Sequence, residues 1–277
     1  MFHLGDIIHT MKKYSEDFTV RANTALNSGH HILEFQSPVA LPQMVPGQFV
    51  ELKVDGSPNT YLRRPFSIHR VDYKQNTISL LIKIVGDGTR QLKTLKPADK
   101  VNMLFPLGKG FSLPENKKVL LVGGGCGVAP LFYLADELFK RKNNITILIG
   151  GRTSNDILLA DEYKQFGEVL ITTEDGSIGE KGMATTHSFL KNNPALDQIY
   201  CCGPDGMMRA VANIAGLINV PCEVSLENTM ACGIGACLCC VVESNHGNIC
   251  VCTEGPVFDS SVLKGWSRET EIGCSLS

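Results

Sequence analysis

The chain has no membrane-length apolar run: no stretch approaches the ~18–20 consecutive apolar residues that a bilayer span requires. It has no block of like charge either. The net charge is −2 over 277 residues, and no Lys- or Arg-rich stretch supplies the electrostatic footprint of a nucleic-acid binder. The opening segment, MFHLGDIIHTMKKYSEDF, alternates charge with short apolar pieces. It lacks the continuous apolar core and small-residue cleavage site of a secretory signal. These absences lead to the expectation of a cytoplasmic protein whose thiols stay reduced. Internal repeats and low-complexity tracts are missing as well.

Cysteine, by contrast, is plentiful. There are eleven, an odd number, which together with the expected compartment argues against a disulfide framework. Six of them crowd into ENTMACGIGACLCCVVESNHGNICVCTEG, residues 227–255. Cys232, Cys237 and Cys240 have the spacing C-x4-C-x2-C, and Cys252 follows after eleven intervening residues. This is the plant-type [2Fe–2S] ligand pattern. Gly233, Gly235 and Ala236 are small enough to let backbone N–H groups turn toward the sulfurs, where they tune the potential. A four-cysteine zinc site is the strongest rival, although structural zinc usually pairs two C-x2-C-like knuckles. Cys239 and Cys250 are assigned as non-ligands, because the spacing prefers Cys240 and Cys252. Cys126, Cys201, Cys222 and Cys274 are taken as buried structural thiols.

Three segments differ in pattern. Through about residue 113, short runs such as HHILEFQ, GQFVELKV, FSIHRV and TISLLIKIV alternate with Gly- and Pro-bearing turns, which suggests an antiparallel barrel or sandwich. From Lys117, apolar strands (KVLLVGGG, NITILIGG, EVLITTEDG, QIYCCG) alternate with helix-like segments (PLFYLADELFKRK, MMRAVANIAGLIN), which implies a parallel sheet. The remainder is cysteine-dense and aperiodic. The expected boundaries are 1–113, with 1–17 as an extension, then 114–222 and 223–277.

GGGCGVAP (123–130) lies where a buried strand meets a helix. Gly125-Cys126-Gly127 lets the backbone approach a pyrophosphate, and the following helix N-terminus favours its negative charge. Pro130 suits the first helical turn. A plain tight turn is the bland alternative. A second turn, Cys202-Gly203-Pro204, closes another predicted parallel strand, so both converge beyond the carboxyl ends of one sheet.

A strand-rich domain followed by G-x-G-x-A-P and C-G-P resembles the ferredoxin–NADP reductase superfamily. That resemblance implies a nicotinamide dinucleotide on the glycine loop, with Cys202 near the nicotinamide ring. It also implies FAD at RRPFSI, where Arg64, Pro65, Phe66 and Ser67 fill R-x-[YF]-S. Arg64 can pair with a pyrophosphate oxygen through its guanidinium fork. Ser67 can hydrogen-bond the flavin edge, and Phe66 can supply an apolar wall. By the same resemblance Gly88-Thr89 contacts the FAD pyrophosphate, with Leu81, Ile82 and Lys83 beside the ring system. Taken singly, Arg63 and Arg64 read as surface charges and Gly86-Asp87-Gly88 as a hairpin turn.

The combination RRPFSI, GDGT, GGGCGVAPL, CGPDGMM, VSLENTMACGIGACLCC and CTEGPVF is similar to one family more narrowly, the electron transfer subunits of NAD-dependent (type B) dihydroorotate dehydrogenases. The likeness runs from about residue 18 to about 264, and implies a three-part fold: an N-terminal antiparallel FAD barrel, a central α/β nucleotide-binding domain and a small C-terminal cluster domain. It further implies an FMN-containing catalytic subunit as partner, a heterotetramer of two plus two subunits, and a path from FMN through [2Fe–2S] and FAD to NAD⁺ in pyrimidine biosynthesis. The chain is too short to add a catalytic (β/α)8 barrel, typically ~250 residues. No catalytic acid or base is assigned; Glu227 is read as a structural hydrogen-bonding group. Glu174 and Asp175, near the expected ribose, favour NAD over NADP despite Arg152. Two other readings stay open: a related reductase serving ferredoxin or a sulfur compound, and a zinc-binding interaction protein.

Overall fold

The computed structural model describes residues 12–266. Six strands, β1 (Tyr14–Asn27), β2 (His30–Gln36), β3 (Phe49–Leu52), β4 (Arg64–Asp72), β5 (Thr77–Lys83) and β6 (Lys100–Leu107), close into a barrel in the order β1-β2-β5-β4-β3-β6. Every pairing in it is antiparallel. The alternation in HHILEFQ explains the register: Leu33 lies opposite Leu80 and Phe35 opposite Ile78, and all four are fully buried. Apolar cross-strand pairs of this kind are what stabilise a sheet.

β1 begins inside the segment expected to be an extension. Tyr14 pairs with Phe105, and their rings stack with centroids 5.6 Å apart. The polar run TVRANTALN concealed this strand, because much of its length has one face in solvent. Residues 1–11 of the expected extension lie outside the described residues, as does Cys274.

The central sheet uses β7 (Lys118–Gly124), β8 (Asn144–Gly151), β9 (Glu168–Thr173), β10 (Glu180–Lys181), β11 (Gln198–Cys202) and β12 (Cys222–Ser225). A hairpin of β13 (Val241–Ser244) and β14 (Gly247–Cys250) follows, and then β15 (Val257–Asp259). The sheet order is β10-β9-β8-β7-β11-β12-β15. Its pairings are parallel except the last, where β15 runs antiparallel to β12. The cysteine-rich segment is therefore joined to the central sheet, because it returns a strand to the sheet edge. The expected boundary after residue 222 falls within β12.

Among helices longer than one turn, α1 spans Asp87–Lys93, α2 Val128–Lys140 and α3 Asp205–Leu217. Helix α2 is the mechanical link between barrel and sheet. It buries Leu131, Leu134, Ala135 and Leu138 on one face, as its spacing predicts. His69 of β4 meets it from the barrel: the Nδ1–H donates to the Ala129 carbonyl (3.1 Å), and the ring packs on Phe132 (centroids 4.7 Å apart). Burial lowers the His69 pKa from 6.5 to about 4, opposed in part by the bond to Ala129.

Candidate functional site

One cavity of about 1170 Å³ opens between the barrel and the carboxyl ends of the parallel strands. Its walls combine three parts of the chain that are far apart in sequence. From the barrel come Arg64, Pro65, Phe66, Ser67, Leu81, Lys83 and Thr89. From the sheet come Gly124, Gly125, Gly203 and Pro204, and from the segment before the cluster loop come Glu227 to Met230.

Each barrel residue is there for a local reason. Pro65 and Phe66 pair with Glu51 and Val50 across the β3–β4 ladder, which puts the motif at the barrel rim. The Arg64 guanidinium donates to the Leu62 and Arg63 carbonyls (2.9 and 3.2 Å), which sets its direction. Arg63 serves a different end, bracing the barrel through the Glu51 and Asn102 carbonyls (3.2 and 3.3 Å). Strand alternation separates the residues of β5: Leu81 and Lys83 face the cavity, whereas the Ile82 side chain is fully buried in the barrel core. The expected place of Ile82 beside a flavin ring is thus not matched by its side chain. Gly86-Asp87-Gly88 is no hairpin turn but the entry to α1, where the Thr89 hydroxyl accepts from the Val85 and Gly86 N–H groups (2.9 and 3.0 Å). Gly88 is pressed against Arg64, whose Nε would lie 3.3 Å from a Cβ there.

On the sheet side Gly125 takes φ +53°, and a Cβ there would meet only open space. Gly127 has a different task. A Cβ on it would overlap the Cys202 carbonyl and lie 2.6 Å from the Gly203 amide, so the two turns touch through it. Cys202 itself is buried behind Gly203 and does not line the cavity.

Several lining residues were not expected. Cys126, taken as a buried structural thiol, is half-buried and faces the cavity, where burial raises its pKa to about 11. Cys201 and Cys222 are buried as expected. Glu227 also faces the cavity; burial raises its carboxyl pKa, and Lys83 opposes that shift. Its reading as a structural hydrogen-bonding group does not hold among the described residues. Asp156 and Phe49 line the cavity too, with no motif to announce them. Asp175 turns away, its carboxylate accepting from the Ser177 N–H and hydroxyl (2.9 and 2.7 Å), while Glu174 reaches the cavity.

The cysteine loop sits beside this cavity. Six backbone N–H groups point at four sulfurs. Ile234, Ala236 and Cys237 donate to Cys232 Sγ (3.5, 3.3 and 3.4 Å), and Cys239 donates to Cys237 Sγ (3.5 Å). Gly235 donates to Cys252 Sγ (3.2 Å), and Cys252 to Cys240 Sγ (3.4 Å). Among the described residues, neither Cys239 nor Cys250 receives such a bond. Left-handed turns at Gly233, Gly235 and Leu238 (φ +68°, +84° and +59°) aim the amides inward. Cys252 comes from beyond the β13–β14 hairpin, on a single helical turn (Val251–Glu254) held by Val251 N–H to the Cys240 carbonyl (3.1 Å). Burial opposes ionisation of Cys232, but the surrounding amides outweigh it and bring the thiol pKa down to about 6.

Two of these bonds link the cysteines in pairs, Cys237 N–H to Cys232 Sγ and Cys252 N–H to Cys240 Sγ. A single tetrahedral zinc needs four ligands on one centre. Two pairs on a glycine-lined rim, supplied with amide donors, instead suit a binuclear cluster with two thiolates per iron. The floor beneath is Glu51, fully buried, with neither carboxylate oxygen hydrogen-bonded. A Cβ on Gly233 would lie 2.8 Å from its Cγ.

Comparisons with known proteins agree with this division. Residues 17–111 match the model of an oxidoreductase FAD-binding domain and residues 121–213 that of an oxidoreductase NAD-binding domain. Residues 227–264 match the iron–sulfur cluster binding domain of dihydroorotate dehydrogenase B. The chain is 42% identical over 239 residues to the dihydroorotate dehydrogenase B (NAD(+)) electron transfer subunit of Desulforamulus reducens, covering 83% of this chain and 90% of that protein. It is 36% identical to the subunit so named from Fusobacterium nucleatum, covering 89% of this chain and 97% of that one. Among solved structures, it is similar to an NADH-dependent reduced ferredoxin–NADP oxidoreductase involved in flavin-based electron bifurcation (TM-score 0.79, 28% identity, 87% of each chain). The ferredoxin reductase of carbazole 1,9a-dioxygenase shares the fold (TM-score 0.66, 20% identity, 76% of this chain and 68% of that one). By motif, cavity and kinship together, the chain belongs to the family of dihydroorotate dehydrogenase B (NAD(+)) electron transfer subunits.

Proposed function

We propose that this chain carries the electrons of dihydroorotate oxidation from an FMN-bearing catalytic subunit to NAD⁺, as an oxidoreductase subunit of pyrimidine biosynthesis. A flavin can exchange a hydride with nicotinamide and single electrons with an iron–sulfur cluster, so FAD belongs between the two. The chain's own residues bind and orient. Arg64, fixed by the Leu62 and Arg63 carbonyls, offers its guanidinium to the FAD pyrophosphate. Phe66 and Leu81 give the ring apolar walls, and Ser67 and Thr89 give it polar edges. The amides opening α2 and the bare face of Gly125 admit the dinucleotide phosphates. Cys232, Cys237, Cys240 and Cys252 grip a [2Fe–2S] cluster, and their amide donors disperse its charge. None of these roles needs a general acid or base.

One strand carries this reading. On β3, Phe49 lines the cavity, and Glu51, two residues on and on the same face, lies beneath the cluster loop. Two residues along a strand is ~7 Å. The flavin cavity and the sulfur cup therefore share a wall, as a relay of single electrons requires.

The proposed partner is the FMN-containing catalytic subunit in a heterotetramer of two plus two, working in the cytoplasm. No helix among the described residues is long and apolar enough to cross a membrane. The test is reconstitution: the anaerobically purified chain mixed with that catalytic subunit should reduce NAD⁺ when given dihydroorotate. Rapid ferredoxin reduction by the chain alone, with no dihydroorotate-dependent turnover in the mixture, would overturn the proposal in favour of a reductase with another acceptor.

A further inference from the structure

One wall of the cavity is formed where β8 finishes at Gly150-Gly151 and Arg152 follows. In an open α/β sheet this is where an acidic side chain meets a ribose 2′-hydroxyl, or an arginine a 2′-phosphate. Taken alone, Arg152 nominates the phosphorylated dinucleotide. Its surroundings say otherwise. The Arg152 backbone N–H and Nε both donate to Asp156 Oδ2 (3.2 Å each), and Nη2 donates to Oδ1 (3.4 Å). The guanidinium is folded back onto its own loop.

That loop is well braced. Asp156 N–H donates to the Thr153 carbonyl (3.0 Å), Glu174 N–H to that of Gly151 (3.0 Å) and Asp175 N–H to that of Arg152 (3.2 Å). Gly151 is bare because Asp156 presses on it; a Cβ there would lie 2.9 Å from Asp156 Cβ. Arg152, Asp156 and Glu174 all line the cavity. The Asp156 carboxyl is held below its ordinary range despite burial, chiefly by the bonds from Arg152.

We propose that Asp156 is the residue that sets the choice of NAD(H) over NADP(H), by clamping the Arg152 guanidinium and setting its own charge beside the ribose site. This rests on the dinucleotide-binding reading given above. An exposed ion pair is individually weak, so the clamp alone cannot discriminate strongly. The balance of charge does. Asp156 and Glu174 set two carboxylates against one guanidinium, and a 2′-phosphate entering that field meets net repulsion. Removing the Asp156 charge frees Arg152 and leaves Glu174 alone opposite it.

The experiment measures NAD⁺ and NADP⁺ dissociation constants on the FAD- and cluster-loaded chain by calorimetry, for wild type, Asp156→Asn, Asp156→Ala and the double variant Asp156→Asn/Arg152→Gln. Both single variants should move the affinity ratio toward NADP⁺ by about tenfold or more, the scale of one charge-assisted bond to phosphate. The double variant should lose that gain, and steady-state rates should show the change in KM rather than kcat. An unchanged ratio in both single variants, or a gain that survives loss of Arg152, overturns the proposal. A wild-type chain that binds neither dinucleotide overturns the underlying reading instead, so the two failures are distinguishable.

Discussion

His69 joins the two halves that enclose the cavity, and its burial makes that joint sensitive to acid. In the folded chain its pKa is about 4, against 6.5 for an ordinary imidazole. The folded value lies below the unfolded one, so between them the unfolded chain binds more protons. Stability therefore falls as pH drops through 6.5 toward 4. Over the whole window this one group costs about 3 kcal/mol, and near pH 5 about 2 kcal/mol. The assay is urea denaturation followed by circular dichroism, on wild type and His69→Phe, near neutrality and near pH 5. Phenylalanine keeps the packing on Phe132 and cannot take up the proton. Wild type should be the more stable at neutral pH, through its bond to Ala129, and should lose about 2 kcal/mol more than the variant on acidification. All other titrating groups cancel in that double difference. A stability gap between the two proteins that does not change with pH would refute the reasoning.

Two more outcomes follow from the cavity and the cup. Cys240→Ser or Cys252→Ser should abolish the iron content and visible absorption of anaerobically reconstituted protein, whereas Cys239→Ser should retain both; iron analysis decides, and iron lost with Cys239 would reverse the ligand assignment. Gly127→Ala places a methyl group against the Cys202 carbonyl and must part the two turns, a strain of about 1–3 kcal/mol. NAD⁺ binding should weaken at least about tenfold while FAD content is kept, and an unaltered dissociation constant would show that the contact between the turns does not shape the site.

The sequence disclosed most where a local pattern dictates local structure. HHILEFQ alternates strictly and becomes β2 over the expected residues, and NITILIGG, buried on both faces, becomes β8. The tight turn after β7 and the turns of the cysteine loop were readable because close backbone approach restricts the residue types allowed. What stayed hidden depends on contacts between distant segments. β1 has a polar stretch that no periodicity filter selects, and β15 is three residues long, placed only by its pairing with β12. Cys126 could not be told from a core thiol, since its exposure depends on how far the barrel stands from the glycine loop. Asp156 had no motif either, because its meaning comes from the side chain it holds. Ile82 is the reverse case: the family resemblance grouped it with Leu81 and Lys83, and strand alternation turns its side chain into the barrel.

Glu51 shows why these hidden contacts collect where the cavity meets the cysteine loop. Its carboxylate is fully buried without a hydrogen bond, and burial raises the pKa to about 7, with Arg63 opposing that shift and Cys232 adding to it. Leaving a polar group in that state costs free energy that an apolar residue on β3 would avoid. Sequences break a local rule of this kind mainly at functional sites. Here the break lies between Phe49 at the cavity wall and Gly233 on the cysteine loop, with the Arg63 guanidinium as the nearby opposite charge. The strand is thus shaped by what rests on each end of it. Its ordinary β-strand composition hides its place between the cavity and the cysteine loop.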